Sequence, residues 1–372
     1  MIKLPALYLT RNGLLEPLGK SQVFAYLQGL SCDYAITLIT YEKTEDWVDS
    51  ARMALAWEEC ERHGIRWLPQ KFRPRPSIVA PALSMLQMTW LVMREVRGGR
   101  VNLIHARSYI PAAVALVVHS MTSVPFIFDM RALWPEELIT AGRLTRGSLL
   151  HRAIVWVERS CLREAAAVVS LTHAAHAHLK REYPKELDGQ RIEVIPTCAD
   201  LGRFSPASVP PSEPTVHGCI GTILSGWFRT DWLATWLAIA AQYDPDARFE
   251  IVTRDDTERV RAALDPKHLL GDRLAIGPRP SAEMPDAVRD HDLSVMFYAG
   301  GEVSELGRSP TRLAEVLGCG LPVVANEGVG DVADIVRQNR VGVVVDCPDP
   351  TQMKNALESL REIMPDPDLP TR

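Results

Sequence analysis

The 372-residue chain has no C-x-x-C pair, no basic excess and no long uninterrupted apolar run. Its seven cysteines (Cys32, Cys60, Cys161, Cys198, Cys219, Cys319 and Cys347) are odd in number and irregularly spaced. That argues against a disulfide framework and against a thiolate metal site. Buried free thiols in a reducing cytosol are the expectation. The formal net charge of −5 speaks against a nucleic-acid partner, because such binders carry a basic excess. The longest apolar stretch, 78–93, is broken by Pro81, Ser84, Gln87 and Thr89, so it reads as a buried or interface helix and not as a membrane span. Residues 1–5 run straight into a strand-like stretch without the sections of a signal peptide, and a cytoplasmic location is expected. No short-period repeat or low-complexity tract interrupts the chain.

What is present is a regular alternation. In the first half, short apolar runs at 6–10, 35–40, 65–68, 102–105, 126–128, 167–170 and 193–195 predict strands. Longer helical patterns such as 21–30, 47–63 and 77–96 separate them. Strand, helix, strand is the pattern of a parallel sheet covered on both faces. The proline-rich stretch 205–214 cannot continue a helix and reads as a linker. The alternation then restarts, with strands predicted at 216–220, 249–252, 274–276, 293–297, 322–325 and 342–345. The fold class is therefore α/β, with two Rossmann-like, doubly wound parallel-sheet domains at 1–208 and 209–372 facing a cleft. Ligands of such sheets bind beyond the carboxyl ends of the strands.

The most informative run is Gly307-Arg308-Ser309-Pro310-Thr311-Arg312-Leu313-Ala314-Glu315-Val316-Leu317-Gly318-Cys319-Gly320-Leu321-Pro322. Ser309 suits a helix N-cap and Pro310 the first helical position. The free N–H groups of such a helix start form an anion site that suits a diphosphate. Arg312 in the first turn makes more sense with an anion nearby. Glu315, about a turn further on, is a carboxylate that can accept hydrogen bonds from two ribose hydroxyls. Residue by residue, a plain helix start and a solvated glutamate explain these positions as well.

In the first half, the run 12–23 follows the first strand and contains Gly19 and Lys20, with Ser21 as a cap. It lacks G-x-G-x-x-G, so a dinucleotide fingerprint is not supported. His105-Ala106-Arg107-Ser108-Tyr109 and Asp129-Met130-Arg131-Ala132-Leu133-Trp134-Pro135-Glu136-Glu137 lie at two further strand ends. An Asp, an Arg and a Trp close together suit a sugar, since carboxylates accept hydroxyl hydrogen bonds and rings stack on sugar faces. His173, His176 and His178 share one predicted helix without an acidic partner and read as structural, so no metal is expected.

Taken whole, the runs 12–23, 126–137 and 309–334 resemble retaining glycosyltransferase family 4, of the GT-B type, in its subset of cell-surface polysaccharide and lipopolysaccharide enzymes. The resemblance implies that Glu315 binds ribose, and that Ser309, Pro310, Thr311 and Arg312 lie at the diphosphate. Gly328 and Gly330 then form a tight turn near the nucleotide. It implies that Gly19, Lys20 and Arg107 contact the sugar or acceptor, and that Asp129, Arg131 and His105 stand at the reacting centre. The chain departs from the family pattern where an acidic residue gives way to Gly307, with Glu302 and Glu305 nearby but out of register. It departs again where Thr222, not an arginine, follows Gly221; Arg229 and Arg312 are the basic replacements.

The implied activity moves a sugar from a UDP- or GDP-linked donor to a saccharide or lipid-linked acceptor. It proceeds with retention, without metal and without a cofactor beyond the nucleotide sugar. Two alternatives stand beside it: a degenerate nucleotide-sugar-binding scaffold, and a GT-B nucleotide-sugar epimerase. Lys71-Phe72-Arg73-Pro74-Arg75 before 78–93 admits peripheral contact with the inner face of the cell membrane; a solvated loop before a core helix is the plainer reading. Family enzymes finish with a helix that crosses back onto the first domain, whereas this sequence stops soon after 351–363, which suggests a shortened protein with looser domain closure.

Overall fold

A computed structural model describes residues 3–72, 80–206 and 214–372. The chain forms two compact units, Met1–Pro196 and Thr197–Arg372. This boundary precedes the expected 208/209 division, for a physical reason. Phe204 is buried in the core of the second unit, and the Thr197 N–H donates to Ser309 Oγ at 3.0 Å. Most of the proline-rich linker, 207–213, lies outside the described residues.

The first unit is built on strands β1 (Leu4–Leu9), β2 (Tyr34–Glu42), β3 (Arg66–Lys71), β4 (Leu103–Arg107), β5 (Phe126–Asp129), β6 (Ala167–Ser170) and β7 (Ile192–Val194). They pair in the order β3-β2-β1-β4-β5-β6-β7, all parallel. The second unit uses β8 (Val216–Ile220), β9 (Arg248–Val252), β10 (Leu274–Gly277), β11 (Leu293–Met296), β12 (Val323–Asn326) and β13 (Gly342–Val345). Their order is β10-β9-β8-β11-β12-β13, again all parallel. In each sheet the winding reverses once, between β1 and β4 and between β8 and β11. Those reversals open the crevices where ligands of such folds bind.

The two-residue period of a strand explains the doubly covered sheets. In the second unit, Leu293 and Val295 of β11 and Val324 of β12 join one core with Trp236, Phe249 and Leu357. Their neighbours Met296, Val323 and Ala325 join a second core on the opposite face with Val316, Val332 and Val336. Because both faces are dry, the strands read as near-continuous apolar runs. In the first unit Tyr8, Ile36, Leu38 and Trp67 pack with Leu14, Val23 and Leu27.

Residues 80–93 of the segment 78–93 fall in the helix Ala80–Arg97, and 78 and 79 lie outside the described residues. Met88 and Val92 are fully buried, whereas Leu86 and Trp90 stand out at 67% and 63% exposure. Among the described residues no helix is long and apolar enough to cross a membrane. Four cysteines are buried as expected, but Cys32 and Cys198 are exposed and Cys347 is half-buried.

Candidate active site

In the second unit the helix Thr311–Gly318 connects β11 to β12, so its N-terminus lies at the carboxyl edge of the sheet. Pro310, not Ser309, is the N-cap, and no side chain caps the helix. The Ser309 hydroxyl instead accepts the N–H of Thr197, which corrects the expected cap. The first N–H groups of this helix are left for a ligand or water. Glu315 is buried, and its carboxylate pairs with Arg312 one turn earlier. Burial pushes the Glu315 carboxyl above its ordinary value, against the opposing pull of Arg312 and Arg203. Thr311 and Arg312 are half-buried at this same end.

Two glycine loops flank the helix start. Gly328 and Gly330 have φ of 81° and 46°, in the left-handed region that a side chain would strain. The Gly301 N–H donates to Gly328 O at 3.3 Å, and a Cβ on Gly328 would meet Gly301 N at 2.8 Å. Glu305 is buried and bound to Arg308 at 2.8 Å, while Glu302 is exposed. After β8, Asp255 holds the turn by accepting the N–H groups of Ile223 and Leu224 at 2.6 and 2.9 Å. Thr222 on that turn is exposed. Arg229 is tied to Asp231 at 2.8 Å and lies over the Trp232 ring.

In the first unit a cluster forms at the carboxyl ends of β4 and β5. Parallel register places Arg107 beside Asp129 and His105 beside Ile127. His105 Nε2 is 3.1 Å from Asp129 Oδ2, and Arg131 approaches Oδ1 at 3.7 Å. Burial alone would raise the Asp129 carboxyl. The His105 hydrogen bond and the charges of Arg131 and Arg107 outweigh it and hold Asp129 below its ordinary value. Arg131 has φ 61°, a strained conformation for a non-glycine residue. Beside this cluster lies a cavity of about 350 Å³. Tyr8, Tyr26, Leu27 and Ile36 give it largely apolar walls, and His105, Asp129 and Arg131 form its polar end.

The loop 12–23 differs from its expected role as a capped turn. The chain turns helical already at Pro17, and Ser21 Oγ donates to Pro17 O at 2.9 Å instead of capping. Gly19 is buried, and a Cβ there would meet Gly13 O at 2.0 Å, so backbone packing is enough to require glycine. Lys20 is exposed and lies 3.9 Å from Glu59. The anchor of this loop is Glu42, which the sequence reading missed: fully buried, it accepts the N–H groups of Leu14 and Leu15 at 2.7 and 3.3 Å. A second missed group is Glu158, which accepts the hydroxyls of Tyr109 and Tyr183 at 2.6 Å each and fixes the helix that follows β4. Both glutamates lie in polar-looking stretches, and only long-range contacts reveal them as buried. Among the described residues no group of three or more His, Cys, Asp or Glu side chains is placed to hold a metal ion.

Residues 24–198 match a family model described as "Glycosyl transferase 4-like domain", and residues 214–362 match "Glycosyl transferases group 1". A D-inositol 3-phosphate glycosyltransferase of Segniliparus rotundus is 25% identical over 72% of this chain, and the match spans only 61% of that relative's length. An alpha-maltose-1-phosphate synthase of Mycolicibacterium smegmatis is 22% identical over 77% of this chain and 75% of its own. Among solved structures, a glycosyltransferase from Rickettsia africae superposes with a TM-score of 0.67 at 15% identity, covering 99% of this chain and 90% of that one. An Anabaena protein in complex with UDP and glucose gives 0.62 at 16% identity, covering 97% and 92%. At such identities the structures speak for the fold, which is GT-B.

Proposed function

The chain belongs to the GT-B glycosyltransferases that join a 4-like domain to a group 1 domain, and from that premise we propose that it moves a glycosyl group from a nucleoside-diphosphate sugar to a saccharide or lipid-linked acceptor. The role is in cell-surface glycan synthesis, with retention at the anomeric carbon. The observation that carries this reading is Glu315: a buried carboxylate one turn inside an uncapped helix, with Arg312 beside it. Such a group is placed to take two ribose hydroxyls while the helix start and Arg312 take the diphosphate. The donor is thus assigned to the second unit and the acceptor to the first. The largely apolar cavity that ends at His105, Asp129 and Arg131 supports an acceptor with an apolar part.

In the proposed reaction the acceptor hydroxyl attacks the anomeric carbon from the face that the diphosphate leaves. The new C–O bond forms as the bond to the diphosphate oxygen breaks, and that oxygen takes the hydroxyl proton. Preorganised N–H groups and Arg312 stabilise the charge that builds on the leaving group. Arg312 reaches the leaving group from its ion pair with Glu315, and Arg229 from its own with Asp231.

Calorimetric titration with UDP and GDP tests the donor site. UDP is tried first, since an Anabaena protein of this fold was solved with it. One nucleotide binds the native chain, and Glu315→Ala loses about 1–3 kcal/mol of that binding. If neither nucleotide binds, the site as drawn is wrong. Nucleotide binding without turnover of any sugar donor points to the scaffold reading, which the internally satisfied Arg229–Asp231 pair favours.

A further inference from the structure

The donor assignment leaves one group in the first unit unexplained. Arg107 ends β4 and is 8% exposed. Its guanidinium makes no hydrogen bond and no ion pair among the described residues, and its Nε is enclosed without a partner. Asp129, its register partner on β5, is already engaged by His105 and Arg131. Burial holds the Arg107 pKa down, the neighbouring Arg131 adds to this, and Tyr8 and Asp129 only partly oppose it. A buried, unpaired guanidinium is costly, and proteins keep one where an anion comes to meet it.

Arg11, just beyond β1, repeats the pattern. Its Nε is also enclosed without a partner, and the guanidinium lies 5.7 Å over the Phe72 ring, not against a carboxylate. Arg11 and Arg107 line one cavity of about 140 Å³, together with Asn12, Ser108, Tyr109 and Ile110, and among the described residues no acidic side chain lines it. The cavity sits at the carboxyl ends of β1 and β4, where the first sheet reverses its winding.

The helix Tyr109–Thr122 begins at the cavity wall. Ser108 is its N-cap at φ 76° and makes no side-chain cap bond. Tyr109 and Ile110 are the first two helical residues, whose N–H groups have no carbonyl a turn earlier in the helix. The cavity thus joins two planar cations to a helix start. Its volume of about 140 Å³ leaves room for a tetrahedral oxyanion.

We propose that this cavity binds a phosphate group carried by the acceptor, so that the acceptor is a phosphate ester and Arg11, Arg107 and the start of the helix Tyr109–Thr122 select it. This rests on the assignment of the acceptor to the first unit. The same chemistry could come from the diphosphate of the donor, and the test separates the two.

Inorganic phosphate is titrated into the full chain by calorimetry, with and without saturating UDP and GDP. The native chain, Arg11→Gln, Arg107→Gln and Glu315→Ala are compared, and circular dichroism checks each fold. Phosphate binds the native chain and Glu315→Ala alike, with or without nucleotide. It binds about tenfold more weakly to Arg11→Gln and Arg107→Gln. Should Arg107→Gln fail to fold, Arg11→Gln decides the matter, because that side chain is less buried. No phosphate binding to the native chain, or unchanged binding to the folded variants, overturns the proposal. Displacement of phosphate by nucleotide assigns the cavity to the donor and also overturns it. Loss of nucleotide binding alone removes the donor site and leaves the phosphate result standing.

Discussion

At the scale of single residues the first unit is governed by how Asp129 is paired. Its carboxylate is buried, yet His105 and Arg131 keep it ionised. A carboxyl held below its ordinary value adds stability above that value, and the contribution is lost as pH falls through the folded pKa. Asp129→Asn keeps the shape and removes the charge. On the proposed reading it lowers the transfer rate by about 10²-fold or more, because His105 loses the partner that orients its ring. It also destabilises the fold, since Arg131 is left without its counter-charge. Steady-state kinetics and thermal melting on the same preparation check both. Full activity in a folded Asn variant would remove this pair from the reacting centre. None of this pairing could be read from the sequence, where Asp129 and His105 are 24 positions apart. Parallel pairing of β4 and β5 brings them together.

At the scale of elements the helix Ala80–Arg97 is amphipathic in an unusual sense. It buries Met88 and Val92, and it presents Leu86 and Trp90, four residues apart, to the outside. Arg94 lies 5.2 Å over the Trp90 ring. An exposed tryptophan and leucine beside cations suit the boundary of an anionic membrane. The basic residues Arg73 and Arg75, part of the sequence argument for such contact, lie outside the described residues. We propose peripheral contact through this helix. Sedimentation with vesicles of anionic phospholipid should bring down the native chain at low salt, and the double variant Leu86→Gln, Trp90→Gln should remain in the supernatant. Equal recovery of the two in the pellet would count against the helix.

For the whole molecule, pH dependence follows from histidine burial in the second unit. His217 on β8 is 4% exposed, and its Nδ1 accepts the Trp236 Nε1–H at 3.1 Å. Burial lowers its pKa to about 4. In the unfolded chain a histidine titrates near about 6.5. Between these values the unfolded chain takes up a proton that the folded chain refuses. Stability therefore falls as pH drops through that window, by on the order of 3 kcal/mol at its lower end. Glu95 and Glu250, held down to about 2 by their arginine and histidine partners, act only at lower pH, below the ordinary carboxylate range. Melting temperatures measured from about pH 7 down to about pH 4.5 should decline in the native chain and decline less in His217→Gln. Identical slopes would show that another group controls the window.

Periodic apolar runs were enough to locate the strands, because parallel strands covered on both faces must be apolar nearly throughout. β6, β8 and β13 carry the bounds expected for them, and the other strands shift by no more than a few residues at their ends. The helix after residue 309 was legible too, since a proline followed by an apolar stripe leaves few alternatives. Its cap was not: the Ser309 hydroxyl accepts the N–H of Thr197, 112 positions away in the chain. Nor could the sequence show that Glu42 and Glu158 are buried, or that Arg11 and Arg107 line one cavity. Local patterning encodes which segments are strands and helices, because each residue's neighbours repeat at a fixed period. Which charges end up paired, and which are buried without a partner, is decided only when strands distant in the chain lie side by side.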